Sequence, residues 1–423
     1  MTIVHIATEL SGGAGGFVRN LHQTMQGMGL SSMVLTRERT DLDGVVTLRP
    51  ISRIWGSLRA RSLTLLGKLG LLKDNYAMFG IEKCPVDLDD IQQAVNGVLP
   101  SAFILYWTSY FVDFETMRKL RCANPGVPIV LICTDEAFLT GGCHYSHGCE
   151  GYLQSCSNCP ATTITWLQRR IAQRFEQRKE LIDAIDPIVI YPTTNIQAMG
   201  RRSSAMNAAR SLVIPLGAVS RLEQNQAKEL RALKRIEQHG SARKLILMVR
   251  SSSEYRKGCD LFVSALRFLS QRLPDLRRRL EVISIGDSTL ISAGIDKYVD
   301  HKDMGYVDRD ALLSLYSHID ALLVTSREDG GPLMVNECVA LGVFVISTPV
   351  GVTKDLIVSG RVGQITRDLS DEALADSLGE FVEGFPKQEI GSTADPSDHP
   401  GALTFEGYVD SLLAIITKKK ATQ

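Results

Sequence analysis

Apolar positions recur along the chain in two alternating rhythms. Thr2–Thr8 is a short run rich in β-branched residues, and Phe17, Leu21, Met25 and Met28 follow at helical spacing. Ser32–Thr36 is the next apolar run, so the opening predicts strand, loop, helix and strand, the βαβ start of a parallel sheet. Ala102–Tyr106, Pro128–Cys133 and Pro187–Pro192 read as buried strands, and Trp166–Ile185 as a charged amphipathic helix. A second series opens at Lys244–Val249. It continues with strands at Leu280–Ile285, Ala321–Thr325 and Val343–Ser347, and with helices at Leu261–Leu273, Asp310–His318 and Pro332–Leu341. Two such series predict an α/β protein of two Rossmann-like domains. The expected division is 1–213 and 214–402, with Pro215 and Gly217 suited to the joint. Glu389–Pro400, rich in Gly, Ser, Asp and Pro, should be a loop. A final helix over 403–423 is expected, N-capped by Thr404, with Phe405, Tyr408, Leu412, Ile415 and Ile416 on one face to pack back on the first domain.

Composition narrows the class. The 423 residues are 44% hydrophobic and 22% charged, ordinary for a globular chain with full cores. Lys and Arg number 47 and so do Asp and Glu, which excludes a nucleic-acid binder acting through whole-molecule positive charge. No run of 18 apolar residues occurs, and the start MTIVHIATELSGG lacks the pattern of a signal peptide. A cytoplasmic location is therefore expected. Of nine cysteines, four lie between Cys143 and Cys159, which in a reducing compartment suggests metal more than disulfides.

Several windows carry candidate chemistry. Ser11–Gly16 holds four glycines between a strand and a helix, where backbone N–H groups of Gly12 and Gly13 can approach an anion. It is neither GxGxxG, since Val18 stands at the last glycine position, nor a Walker loop; a tight turn without ligand is the alternative. Arg250, Arg256, Lys257 and Gly258 lie in a loop directly after a predicted strand, and Lys and Arg suit phosphate oxygens. The alternative is a solvated charged loop. Glu328, Asp329, Gly330 and Gly331 begin at another strand end and run into a helix carrying Glu337. Carboxylates there can hold vicinal hydroxyls, and the glycines give backbone N–H groups access to a ligand. Favourable placement of acids near a helix N-terminus is the alternative, and it explains Glu328 and Asp329 better than Glu337. The spacing Cys143-x5-Cys149-x6-Cys156-x2-Cys159 suits four thiolates on a structural zinc, with His144 and His147 as substitutes; two disulfides or reduced packing thiols are the alternatives.

Residues 49–73 contain Arg49, Arg53, Arg59, Arg61, Lys68 and Lys73 and no acid, with Ile54, Trp55, Leu58, Leu65 and Leu69 on one helical face. Such a helix can lie on an anionic membrane surface or pack on a core with a solvated basic side. Asp41-Leu-Asp43 and Asp87-Leu-Asp89 match the Asp-x-Asp string of metal-dependent transferases but lie in loop or helix-start contexts.

Taken in order, SGGAGGFVRNLHQTMQGMG, TDEAFLTGGCHYSHGCEGYLQSCSNCP, the linker IPLGAV, EYRKGCDLFVSAL and LYSHIDALLVTSREDGGPLMVNECVALGVFVISTPVGVTKDLI resemble glycosyltransferase family 4 across nearly the whole length. The TGGCHYS element is similar to a branch typical of bacterial polysaccharide biosynthesis. The resemblance implies the GT-B fold, two Rossmann-like domains facing a cleft. It implies a hexosyltransferase that retains anomeric configuration, uses a UDP- or GDP-sugar and needs no catalytic metal. Lys257, helped by Arg250 or Arg256, would hold the diphosphate, and Glu337 the ribose. Glu328 would contact the transferred sugar, with Asp329 as the alternative because the loop register is ambiguous. Gly12 and Gly13 would approach the donor phosphates, and the N-terminal domain would hold a glycan or lipid-linked acceptor, on the inner face of the plasma membrane if residues 49–73 bind it.

Two departures stand out. Thr134-Asp135 replaces the His-Asp usual in relatives, which leaves Asp135 as the remaining candidate there. The phosphate loop is also longer than in many relatives, so Arg250 need not match their arginine. Two other classes stay open, a nucleotide-sugar epimerase on the same fold and a non-catalytic sugar- or membrane-binding scaffold.

Overall fold

The computed structural model describes residues 1–48, 65, 67–73, 86–238, 244–358, 360–384 and 403–421. The expected loop at 389–400 and most of the basic stretch 49–73 lie outside these residues. The chain divides into two compact units, Met1–Gly217 with Phe405–Gln423, and Ala218–Thr404.

In the first unit the order is β1 (Thr2–Ile6), α1 (Gly12–Gly27), β2 (Ser31–Thr36), β3 (Val45–Thr47), α2 (Leu88–Ala94), β4 (Pro100–Leu105), α3 (Phe114–Ala123), β5 (Ile129–Ile132), α4 (Thr165–Ile185), β6 (Ile188–Tyr191), α5 (Thr194–Arg202) and β7 (Arg210–Val213). These strands form one parallel sheet in the order β3-β2-β1-β4-β5-β6-β7. Every residue of β5 and β6 is buried, as a parallel sheet covered on both faces requires.

The second unit runs α6 (Arg221–Gln238), β8 (Leu245–Ser251), α7 (Cys259–Arg272), β9 (Leu280–Gly286), β10 (Asp300–Asp303), α8 (Arg309–His318), β11 (Ala321–Val324), α9 (Leu333–Ala340), β12 (Phe344–Ser347), β13 (Gly363–Ile365) and α10 (Asp371–Gly384). Its parallel sheet has the order β10-β9-β8-β11-β12-β13. Alternation along β8 builds two cores. Leu245, Leu247 and Val249 join Phe262, Leu266 and Phe381 on one face, while Met248 joins Leu322, Val335 and Val345 on the other.

Both sheets reverse strand order in mid-sheet, between β1 and β4 and between β8 and β11. In open α/β sheets the strand ends at that reversal leave a crevice for ligands. The loops after β8 and β11 are the cationic and acidic windows read from the sequence.

Helix starts follow local chemistry. Asp113 accepts from the Thr116 amide at 3.0 Å to cap α3, and Thr193 accepts from the Ile196 amide at 3.1 Å to cap α5. Asp87 and Asp90 cap α2 reciprocally at 3.1 Å, which gives the Asp-x-Asp string at 87–89 a structural task.

The four strands that the apolar pattern did not predict, β3, β7, β10 and β13, are the edges of the two sheets. None of them is buried throughout: β7 alternates exposed and half-buried residues, and β10 reads Asp-His-Lys-Asp. An edge strand has fewer neighbours to cover it, so it needs no continuous apolar run.

The last helix, α11 (Phe405–Ala421), belongs to the first unit and packs on α1. The Phe17 ring meets Tyr408 edge-to-face at 5.2 Å and Phe405 at 6.1 Å, and all three residues are buried. No described helix is long and apolar enough to cross a membrane. Removing a buried aromatic ring costs about 3–5 kcal/mol. Phe17→Ala should therefore lower the stability of the first unit by that amount in urea denaturation, and a change below about 1 kcal/mol would show that the α1–α11 contact does not anchor the helix.

Candidate functional site

The second unit brings the two charged windows together. After β8 the chain makes a short turn over Tyr255–Lys257 and enters α7 through Gly258. Gly258 has φ +66°, and a Cβ there would lie 2.0 Å from the Thr325 carbonyl oxygen. Only glycine permits this approach. The loops are then stitched: the Thr325 hydroxyl donates to the Lys257 carbonyl at 2.7 Å, and the Arg327 amide to the Arg256 carbonyl at 2.7 Å. Arg327 also grips Asp260 with two hydrogen bonds of 2.7 and 2.6 Å and stacks over Tyr255 at 4.1 Å.

These contacts set the ionic centre. Lys257 Nζ meets Asp329 at 2.5 Å, and Arg256 reaches the same carboxylate at 3.5 Å and Glu254 at 2.7 Å. The Lys257 and Asp329 side chains are both largely buried. Burial pulls the Lys257 amine down, against the attraction of Asp329. Burial acts to raise the Asp329 carboxyl, but Lys257 and Arg256 outweigh it and hold it below the usual carboxylate range. Glu328 is half-buried, Gly330 is buried, and Arg250 is exposed at the end of β8.

Glu337 lies in a different set of contacts. It sits on α9, 4% exposed. Tyr316 donates to it at 2.6 Å and Arg309 at 3.3 Å, and Arg309 also pairs with Glu223 at 3.0 Å. Burial raises the Glu337 carboxyl to about 7, opposed by the Tyr316 hydrogen bond and by Arg309. The apolar pattern could not announce Arg309: it opens α8 just after the polar strand β10. Tyr316 reads as an ordinary core aromatic.

In the first unit, Gly12 and Gly13 start α1 with open space beside them, whereas a Cβ on Gly15 would fall 2.7 Å from the Leu10 backbone. Glu38 accepts from the Leu10 amide at 2.6 Å and the Ser11 amide at 3.0 Å, so a carboxylate already occupies the two amides before the glycines. A cavity of about 210 Å³ touches Ser11, Gly13, Tyr106 and Trp107 at the reversal between β1 and β4.

Asp135 follows β5 and is paired with His144 Nδ1 at 2.6 Å. The Trp107 indole donates to His144 Nε2 at 3.0 Å. That bond makes Nε2 the acceptor, so the ring proton sits on Nδ1 and points to Asp135. Burial acts to raise the Asp135 carboxyl, and His144 outweighs it to hold the group low. His144, weighed from the sequence as a substitute metal ligand, instead orients Asp135.

The four clustered cysteines come together in the fold. All eight described cysteines are free thiols. Cys143, Cys149, Cys156 and Cys159 pack together against Leu72, Ala161, Leu167 and Ile171. Among the described residues no group of three or more His, Cys, Asp or Glu side chains is arranged to hold a metal ion. In this structure the four sulfurs are not arranged as a ligand set, since chain spacing alone does not fix their convergence. Burial pushes the Cys143, Cys156 and Cys159 thiols up, Cys156 to about 12. Metal analysis of the purified chain should find less than one zinc per ten molecules; one zinc per molecule, lost in Cys156→Ser, would overturn this arrangement.

Glu337 gives a pH-dependent expectation. Folding raises its carboxyl from 4.5 to about 7, so the folded state keeps a proton that the unfolded chain releases. Its contribution to stability is full below pH 4.5 and is lost as the pH rises through about 7. Compared by urea denaturation at pH 5 and pH 8, Glu337→Gln should gain on the wild type at the higher pH. A difference that does not change with pH would exclude a raised carboxyl.

Comparisons with known proteins agree with this architecture. Residues 243–383 match the family described as Glycosyl transferases group 1. Over 250 residues the chain is 23% identical to WcaC of Escherichia coli (strain K12), named as a colanic acid biosynthesis glycosyl transferase; the match covers 57% of each chain, so only about half of that relative's length is spanned. The structure resembles sucrose-phosphate synthase from Thermosynechococcus elongatus with a TM-score of 0.65, 15% identity and full coverage of both chains. It also resembles Anabaena Alr3699/HepE, solved with UDP-glucose, with a TM-score of 0.59 and 15% identity over 98% of this chain and 99% of the other. The two parallel sheets with their covering helices form the GT-B fold.

Proposed function

We propose that the chain is a retaining glycosyltransferase of polysaccharide biosynthesis. It moves a sugar from a UDP- or GDP-sugar to a hydroxyl of a glycan or lipid-linked acceptor. The observation that carries this reading is the meeting of Arg256, Lys257 and Asp329 where the second sheet reverses its strand order. The match of residues 243–383, the name of the Escherichia coli relative and the UDP-glucose in the Anabaena structure support it.

Each residue then has a task. The bond from the sugar C1 to the diphosphate breaks with its electron pair on phosphate oxygen, the acceptor oxygen bonds to C1, and its proton passes to the leaving phosphate; Lys257 and Arg256 stabilise the charge that develops, with Arg250 beyond them. The cations do the work a divalent metal would otherwise do. The pairing of Asp329 with Lys257 supports Asp329 as the acid beside the transferred sugar, with Glu328 next to it. In the free protein Asp329 neutralises a buried cation that the phosphates would otherwise meet. Gly330 and Gly331 leave backbone room at the same loop. Glu337 accepts the ribose hydroxyls; each of its oxygens has two acceptor directions, and Tyr316 and Arg309 fill only some of them. Gly12 and Gly13 offer backbone amides to an anion, and Asp135, aligned by His144, meets the acceptor. The charge pattern of 49–73 supports contact with an anionic membrane surface on the cytoplasmic side.

Donor binding tests the reading. UDP-glucose or GDP-mannose at 100 times its Kd should stabilise the chain by about 2.7 kcal/mol. Lys257→Ala should weaken that donor at least tenfold, about 1.4 kcal/mol, relative to its own ligand-free state. Affinity should also fall as the pH drops below about 7 and Glu337 takes up its proton, and Glu337→Gln should abolish this dependence. No stabilisation by any nucleotide sugar would remove the proposal.

A further inference from the structure

Helix α4 buries one stripe: Leu167, Ile171, Phe175, Arg178, Leu181, Ile182 and Ile185. Arg178 is the single ionisable residue of that stripe. It is 3% exposed, and its guanidinium lies 4.8 Å over the Phe114 ring. Neither Nε nor Nη1 has a hydrogen-bond partner. Burial pulls its pKa down to about 10, so it stays charged at neutral pH. A buried guanidinium with two unmet donors destabilises the fold unless something else compensates them.

The surroundings point to a ligand. Arg178 lines a cavity with Trp107, Ser109, Thr134, Asp135 and Arg174. Asp135 attracts the guanidinium but makes no hydrogen bond to its Nε or Nη1; its oxygens hold His144 at 2.6 Å and accept from the Ala137 amide at 2.8 Å, and each keeps a second acceptor direction. The space open to water-sized atoms is about 40 Å³, room for roughly three waters or one small anionic group. Asp113, Phe114 and Arg174 line both this cavity and a second space of about 660 Å³ that also touches Arg118 and Arg170. The remainder of a larger ligand has room there.

We propose that this cavity takes a carboxylate or phosphate group borne by a saccharide, with Arg178 as its counter-ion and Asp135 holding a neighbouring sugar hydroxyl. A planar guanidinium offers two parallel N–H donors to such a group, and the apolar walls and low dielectric strengthen the pair. The inference rests on the glycosyltransferase reading only in calling this saccharide the acceptor, which would then be acidic.

Titration of the purified full-length chain tests this without any transfer reaction. D-glucuronate, glucose 1-phosphate and neutral glucose are compared at constant ionic strength by calorimetry, with UDP-glucose stabilisation measured in parallel. The wild type should bind glucuronate or glucose 1-phosphate at least tenfold more tightly than glucose, and the better of the two identifies carboxylate or phosphate as the group. Arg178→Met keeps the stem over Phe114. It should lose the preference, retain stabilisation by UDP-glucose, and melt no lower than the wild type. The same anion preference in Arg178→Met would overturn the inference. So would equal binding of all three compounds by the wild type, a result that decides alone if the variant does not fold. Stabilisation by UDP-glucose without any anion preference would sink this inference and leave the transfer reading standing.

Discussion

The ionic centre of the second unit depends on one steric fact. Gly258 lies so close to the carbonyl of Thr325 that no side chain fits between them. That approach lets the turn after β8 lie against the loop after β11, and the hydrogen bonds from Thr325 and Arg327 then hold the two together. Lys257 and Asp329 are 72 residues apart in sequence, yet they meet because a parallel sheet delivers both strand ends to the same rim. The glycine does no chemistry itself. It sets the distance at which chemistry by its neighbours becomes available.

Charge is handled differently in the two units. In the second, Lys257 is paired with Asp329, and Glu337 with Arg309 and the Tyr316 hydroxyl. In the first, Asp135 is paired with a fixed histidine, while Arg178 keeps two donors unmet. Paired ions in a protein interior recover much of their desolvation cost, and an unpaired one recovers little. The free form of the first unit therefore carries an unresolved electrostatic tension that the second does not.

Much of this was legible in the sequence, for a physical reason. Central strands of a parallel sheet are apolar on both faces, so β1, β2, β4, β5, β6, β8, β9, β11 and β12 announce themselves as apolar runs. The charged windows follow two of those runs directly, and parallel topology places them side by side. Edge strands lack the signal. Arg309 opens a helix that the pattern did show, but its contacts with Glu223 and Glu337 join separate elements, and nothing along the chain marks them. Asp135 was visible as a candidate, but its link to His144 and Trp107 was not, because that contact joins separate loops. The cysteine spacing suggested a ligand set that the packing does not assemble, since a count along the chain carries no information on where sulfurs point.

The polar edge strand β10 has a further consequence. A parallel sheet with apolar edges would offer open backbone groups to any other chain, and stacking or fibre growth could begin there. Here β10 carries Asp300, His301, Lys302 and Asp303, and Asp300 pairs with Lys244 and Arg277. Another strand could dock on that rim only by stripping water from the exposed Lys302 and Asp303. What made β10 unreadable as a strand is thus also what keeps that border of the sheet closed to other chains.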